Sequence, residues 1–258
     1  MVKLEANLDL VFSYSRKDRK IDDFRKITIT CGLIEHAEGS AQVELGKTKV
    51  IAGIKLSVKE PYLDASEEGI LMVGVTQAEI IRHMSFEPTR SSFADVEVAR
   101  LVDRGLREGG AIDVKKLVIK PKELVWCINI DVVVVNNDGN LIDACSLAAM
   151  AALQDAKMLK VDTETNRVVL GEKTKELLPL MKIITTTTFQ KIKKTIVLDP
   201  AIEEESPKNC KFTISLCDDN NICSMQKGGS STMTEDDFEE MYKIAVKKRK
   251  ELLKILKN

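Results

Sequence analysis

Leu124–Met158 reads LVWCINIDVVVVNNDGNLIDACSLAAMAALQDAKM, a long apolar strand that passes through a turn into an alanine-rich helix. The unbroken valines of LVWCINIDVVVV predict a strand buried on both faces. Asn137-Asp138-Gly139 supplies turn chemistry, and Asn140–Ile142 is expected to begin a return strand. From Ala144 the run ACSLAAMAALQDAKM has helical composition. Its small side chains let a helix lie close against a sheet, so this segment is expected at the centre of the molecule.

The pattern upstream alternates. Ile27, Ile29 and Cys31 share one face against Lys26, Thr28 and Thr30. SAQVEL sets Ala41, Val43 and Leu45 together, and after Gly46-Lys47 the run KVIAGIKLSV sets Ile54, Leu56 and Val58 together. That is a three-stranded meander in about 35 residues. A further short strand, Leu71–Thr76, is a candidate edge and interface element. Before the meander, the charged run SRKDRKIDD reads as a short helix and an exposed lead-in.

A helix then runs to Gly109-Gly110, with Ser92 and Asp95 at capping-box spacing. Val98, Leu101, Val102 and Leu106 form its apolar stripe, opposite Glu97, Arg100, Arg104, Arg107 and Glu108. Downstream, Lys160–Met181 is polar and weakly patterned, an excursion or linker. KIITTTTF, KKTIVLD, KFTISLC and NICSMQK make a second β region. A final helix begins at Thr234 with acids leading and bases trailing, the order that suits the helix dipole. The fold class is α+β, in two sheet-and-helix sub-domains. Boundaries fall at 1–24 for the lead-in, 25–160 for the first domain, 161–182 for the linker and 183–258 for the second.

Composition limits what such a chain can do. It has 258 residues, 44% hydrophobic and 31% charged, enough for one or two domains with a real core. With 39 basic and 40 acidic residues, bulk charge does not draw it to nucleic acid or an anionic membrane. Any polyanion site must be a local cluster. Three Tyr, one Trp and seven Phe make an extended base-stacking platform improbable. There is no membrane span and no secretory signal pattern. Six scattered cysteines, none in a CxxC, point to a reducing cytoplasm and away from a zinc site.

Most chemical candidates have a plainer reading. Gly46-Lys47-Thr48 resembles the end of a phosphate loop, but Ala41 stands where the earlier glycine belongs and a strand follows. Asp199, Glu203, Glu204 and Glu205 could hold a divalent cation, although such a loop is more often solvated. Gly228-Gly229-Ser230-Ser231 is either an anion nest or a connection into the last helix. The seven basic residues from Lys243 to Lys257 are either an RNA contact or, the plainer reading, an exposed helical face. Cys145 has no histidine in a nucleophile–base pattern. Arg100, Arg104 and Arg107 are different, because steps of four and three put three planar forks on one stripe, matched to repeated phosphates. Spacing alone favours a solvated row paired by Glu97, Asp103 and Glu108.

Several segments together resemble the ribonuclease PH family, phosphate-dependent 3′-to-5′ exoribonucleases that include the ring subunits of the RNA exosome. They are RKDRKIDDFRKITITCG, EGSAQVELGKTKVIAG, FEP at Phe86–Pro88, EVARLVDRGLREGGAIDVKKLVI, IDVVVVNNDGNLIDAC, LDPAIEEES and ICSMQKGG. The lead-in departs in lacking a glycine between Asp18 and Arg19. The resemblance implies a ribonuclease PH-like fold and is nearest to the non-catalytic ring subunit of the archaeal exosome.

Catalytic relatives carry Gly-Thr/Ser-Arg-Thr at the start of the central helix; here Asp143–Leu147 corresponds, with Leu147 in the arginine's place. They also carry two aspartates six apart, where this chain has Glu205 and Lys211. The resemblance therefore implies no catalytic residues and no cofactor or metal in this chain, the inorganic phosphate being used by a catalytic partner. It further implies that Arg100 and Arg104, matching an ARxxDR pattern, hold an RNA backbone, with Arg107 continuing the row. Expected partners are the catalytic paralogue in an alternating hexameric ring, RNA-binding cap subunits and single-stranded RNA. Two alternatives stand beside this: an active homohexameric phosphorolytic nuclease, and an interaction protein that keeps the fold without binding RNA.

Overall fold

A computed structural model describes residues 16–17, 19–77, 93–162 and 167–257. The capping residue Ser92, Phe86–Pro88 and the lead-in before residue 16 lie outside them. The meander is present as β1 (Ile27–Cys31), β2 (Gly39–Leu45) and β3 (Thr48–Lys59). Leu45 pairs with Thr48 across the two-residue turn Gly46-Lys47, and Gly46 has φ of 60°. Thr48 is buried and its hydroxyl donates to the Gly139 carbonyl at 2.7 Å, so the Gly-Lys-Thr run is a hairpin turn.

β4 (Ile70–Gln77), β5 (Val118–Lys120) and β6 (Leu124–Asn136) complete the first sheet in the order β1-β2-β3-β6-β4, with β5 on β6. β4 runs parallel to β6 and ends the sheet. The valine run departs from the expectation of two buried faces. Val132 and Val134 are buried, while Val133 and Val135 are each 39% exposed. Among the described residues the helices pack on one face of the sheet, so β6 alternates like the rest.

No return strand follows β6. The chain turns at Asn140, with φ of 55°, directly into a helix. α1 (Phe93–Glu108) and this second helix, α2 (Leu141–Asp155), lie between the first sheet and a second one. α2 packs on β2 and β3, and its Ala152 and Ala156 meet β2 so closely that a Cβ on Gly39 would stand 2.5 Å from the Ala152 carbonyl oxygen. The weakly patterned segment, expected to be an excursion or linker, lies largely in a two-stranded ladder, β7 (Lys157–Asp162) with β8 (Arg167–Leu177).

The second sheet contains β9 (Thr185–Ile192), β10 (Thr195–Leu198), β11 (Cys210–Leu216) and β12 (Ile222–Gly228) in the order β10-β9-β11-β12. Its two faces differ in chemistry. Phe189, Leu198, Phe212, Ile214 and Leu216 pack with Met241 and Ala245 of α3 (Glu235–Ile255). The opposite face is a buried hydroxyl ladder: Thr186 with Ser215 and Thr188 with Thr213, each at 3.0 Å. α3 starts in a full capping box between Thr234 and Asp237. Among the described residues no helix is long and apolar enough to cross a membrane.

Two charged segments expected in solvent each send side chains into the interior, Arg16 from the lead-in and Asp199 and Glu204 from the acidic loop, while Glu203 and Glu205 are exposed. Arg16 is 7% exposed and makes a bidentate pair with Glu204 at 2.8 Å. Arg25 forks onto Asp199 at 2.8 and 2.9 Å, and Arg19 reaches the same carboxylate at 2.6 Å. The acidic loop is thus a receptor for the lead-in arginines, because desolvated carboxylates need fixed counter-charges. In α3, Lys248 is buried on Asp23 and Glu251, and Arg249 donates to the carbonyls of Ile183 and Leu216. The basic tail is therefore only partly a solvated face.

Candidate nucleic-acid interface

α1 forms because Val98, Leu101, Val102 and Leu106 recur at helical spacing, and all four are buried. Asp95 lies in its first turn and accepts from the Gln77 side chain at 3.0 Å, tying the helix start to the end of β4. Gly105 and Gly109 face the second sheet. A Cβ on Gly105 would stand 3.1 Å from the Ser215 hydroxyl, and one on Gly109 2.5 Å from Ile184. The bare backbone there seats the helix deeply and turns the charged stripe outward.

Between α1 and β4 runs an open groove of about 660 Å³. Arg100, Arg104 and Arg107 all line it, together with Leu71–Thr76 of β4. The predicted row is thus one surface feature, but its members differ in state. Arg100 is exposed and makes no hydrogen bond or ion pair with any described residue. Arg104 is exposed and donates once, to the Gln226 side chain of β12 at 3.0 Å. Arg107 is committed: Nη2 donates to Asp103 at 2.8 Å and to the Leu71 carbonyl at 2.8 Å, and Nε reaches Asp103 at 3.3 Å. Its hydrogen bond to Asp103 raises its pKa further, against partial burial. Internal pairing within the helix therefore holds for Arg107. Glu97 pairs elsewhere, with Lys211 at 3.3 Å.

That second pair spans a neighbouring cavity of about 420 Å³, lined among others by Glu97, Gln190, Glu205, Ser206, Lys211 and Gly229. The Glu205 carboxylate accepts the Asn140 N–H at 2.8 Å. Desolvation of its carboxylate raises the Glu205 pKa, opposed by that N–H and by the charge of Lys211. Leu147 is 1% exposed and belongs to the core, so no cation stands at its place. Asp143, one turn earlier, is fully buried and accepts from Thr188 N, Thr188 Oγ1 and Asn140 Nδ2 at 2.8–2.9 Å. Burial pushes its pKa up to about 7 despite those donors. It is a structural bracket between α2 and β9.

The remaining candidates fall to packing. Burial pushes the Cys145 thiol up to about 12, which removes the thiolate a nucleophile needs. In the Gly-Gly-Ser-Ser connection the Ser230 N–H is spent on the Pro207 carbonyl at 3.0 Å. Among the described residues no group of three His, Cys, Asp or Glu side chains is placed to hold a metal ion. Sequence patterning marked Leu71–Thr76 as an edge and interface element but did not join it to the arginine row, and it did not mark Gln226, because both meet α1 only through tertiary packing.

The sequence pattern of the 3′ exoribonuclease family matches in both its parts, domain 1 over residues 23–158 and domain 2 over residues 182–248. An exosome complex component Rrp42 from Methanothermobacter thermautotrophicus is 38% identical over 251 residues, covering 96% of this chain and 92% of the relative. The protein of the same name from Saccharolobus islandicus is 37% identical over 263 residues, covering 99% and 95%. Among solved structures, a chain of the Archaeoglobus fulgidus exosome with RNA bound to the active site superposes with a TM-score of 0.80 at 37% identity, covering 92% of each chain. A chain of an archaeal exosome core gives 0.81 at 34% identity, covering 97% and 94%.

Proposed function

Because this chain belongs to the 3′ exoribonuclease family in both domains, we propose that it is a non-catalytic subunit of an exosome-type ring that guides single-stranded RNA to a phosphorolytic partner. Support comes from relatives named as exosome components and from the likeness to archaeal exosome chains, one of them solved with RNA. The observation that carries the reading is local. A groove bearing two exposed arginine forks, Arg100 with no partner among the described residues and Arg104 with one neutral partner, lies beside a cavity in which Lys211 stands 3.3 Å from Glu97.

The chemistry follows from what each side chain can do. Phosphorolysis needs a cation to neutralise the attacking phosphate and a carboxylate to manage the proton or a metal. Leu147 cannot do the first, and Lys211 inverts the charge needed for the second. The inorganic phosphate then belongs to the partner's site. Arg100 and Arg104 contribute charge and geometry, gripping phosphate oxygens without reading bases. RNA-binding cap subunits complete the assembly, which works in the cytoplasm.

The test is reconstitution. The purified chain, incubated with an oligoadenylate and inorganic phosphate, is expected to release no nucleoside diphosphate. Mixed with a ribonuclease PH-like catalytic subunit from the same source, it should form a ring by native mass and speed phosphate-dependent decay. Phosphorolysis by the lone chain, copurifying through successive columns, would favour the homohexameric enzyme instead.

A further inference from the structure

We propose that Arg107 is a positioning residue, which fastens the edge strand β4 to α1 and thereby holds open the groove in which Arg100 and Arg104 stand. The inference rests on the RNA-guiding reading of that groove and assigns a different task to the third arginine of the row.

Three arginines of one stripe would be interchangeable if each met a phosphate. Their surroundings say otherwise. The Arg107 fork is bidentate on Asp103, four residues earlier on the same helix, and Nη2 also donates to the Leu71 carbonyl, 36 residues away on β4. Its charge is thus cancelled at source, and Nε and Nη2 are already spent. Arg100 spends no donor within the described chain, and Arg104 spends one on a neutral amide.

The position of β4 explains why a strut is needed. Among the described residues β4 is the last strand of the first sheet and pairs only with β6. A terminal strand presents unpaired backbone groups and invites fraying or pairing with another chain. Ile70, Leu71 and Val75 of β4 are buried, while Met72 is 44% exposed, so side-chain burial anchors the strand from within and leaves its outer edge to be fixed by other contacts. Arg107 reaches this edge from the helix and satisfies one of its carbonyls. The groove has β4 as one wall and α1 as the other, so a bond between the walls sets their spacing. A lysine could not substitute, since a single ammonium has no rigid fork to hold Asp103 and Leu71 in fixed geometry.

The experiment uses the full chain, a fluorescein-labelled oligoadenylate and a range of salt concentrations, with amide hydrogen exchange read over residues 70–77. For Arg100→Ala the slope of log K against log salt should fall by about 0.7, one single-strand phosphate contact. For Arg107→Ala and Arg107→Lys alike, the slope should stay at the wild-type value. Affinity should drop by about fivefold in both, and exchange across β4 should accelerate. A slope decrease in Arg107→Ala that Arg107→Lys restores would make Arg107 a phosphate contact and overturn the proposal. So would unchanged binding and unchanged exchange in Arg107→Ala. If Arg100→Ala leaves the slope untouched, the RNA-guiding reading fails on its own, and the exchange data alone then decide whether Arg107 holds β4.

Discussion

The Lys211 ammonium stands 3.3 Å from the Glu97 carboxylate, so β11 reaches across a cavity to the second turn of α1, one turn before Arg100. In a catalytic relative a carboxylate is expected at the Lys211 position. Here the same position carries the opposite charge and a connection to the arginine helix. Both side chains are partly exposed, so the pair contributes about 1 kcal/mol or less to stability. Its consequence is geometric. Lys211→Asp should bring three carboxylates, at 97, 205 and 211, around one cavity, lower RNA affinity and create no phosphorolysis. The charge-reversed double variant Glu97→Lys with Lys211→Asp should recover the affinity. Binding titrations of the two singles and the double form the cycle, and additive losses would show that the pair does not couple the helix to the sheet.

Arg100 and Arg104 should act through phosphate alone. The double alanine variant is expected to lower the salt slope by about 1.4, twice one single-strand contact. The loss should be equal on oligoadenylate and oligouridylate, since backbone contacts carry no base information. Gln226→Ala should leave both slope and affinity near wild type, because it removes only a neutral partner of Arg104. A loss confined to one of the two RNAs would mean that these forks read bases.

Gly39 faces the backbone of α2, where an added Cβ would stand 2.5 Å from Ala152 O and from Ala156 N and Cα. Backbone atoms have no rotamer to escape into. Gly39→Ala should therefore force the helix off the sheet and cost about 1–3 kcal/mol, as overpacked cores do. Urea denaturation followed by circular dichroism measures it, and a midpoint equal to wild type would show that the helix has room to move.

The periodic parts of the fold were readable for a physical reason. Alternation in β1 to β3 and the stripe Val98–Leu106 of α1 are local consequences of one covered face. What was not readable depends on partners distant in sequence. Four consecutive valines cannot reveal that the described helices pack on one face of the sheet, which leaves Val133 and Val135 partly exposed. The loop Asp199–Glu205 has the composition of a solvated segment, and only the arrival of Arg16, Arg19 and Arg25 accounts for the burial of Asp199 and Glu204 within it. At the candidate site the spacing of Arg100, Arg104 and Arg107 was enough to put them in one groove. It was blind to the Leu71 carbonyl, which separates the third arginine from the first two.

Glu204 is 2% exposed and holds Arg16 through two hydrogen bonds of 2.8 Å, while its Oε2 also accepts the Ala201 N–H at 2.9 Å. Glu204→Gln keeps the shape but leaves the Arg16 guanidinium buried without its counter-charge. Removing one member of such a pair costs about 3–5 kcal/mol. The loss should appear as a lower urea midpoint with an unchanged slope. A change under about 1 kcal/mol would place this pair among ordinary surface contacts.

Asp143 makes stability depend on pH in a direction opposite to most carboxylates. Its pKa is pushed up from 3.8 to about 7 by complete burial, with the nearby charge of Asp199 adding to the rise, against the donors from Asn140 and Thr188. Between those two values the folded chain binds the extra proton and the unfolded chain does not. By linkage, this residue's contribution is greatest below about pH 4 and is progressively lost as pH rises towards 7. Asp143→Asn removes the titration while keeping a group of similar shape between α2 and β9. The difference in unfolding free energy between wild type and variant, measured from pH 4 to 8, should therefore decline with rising pH across the window and level off above it. A difference that grows with pH would mean that the three donors hold the carboxylate ionised, with its pKa below the unfolded value.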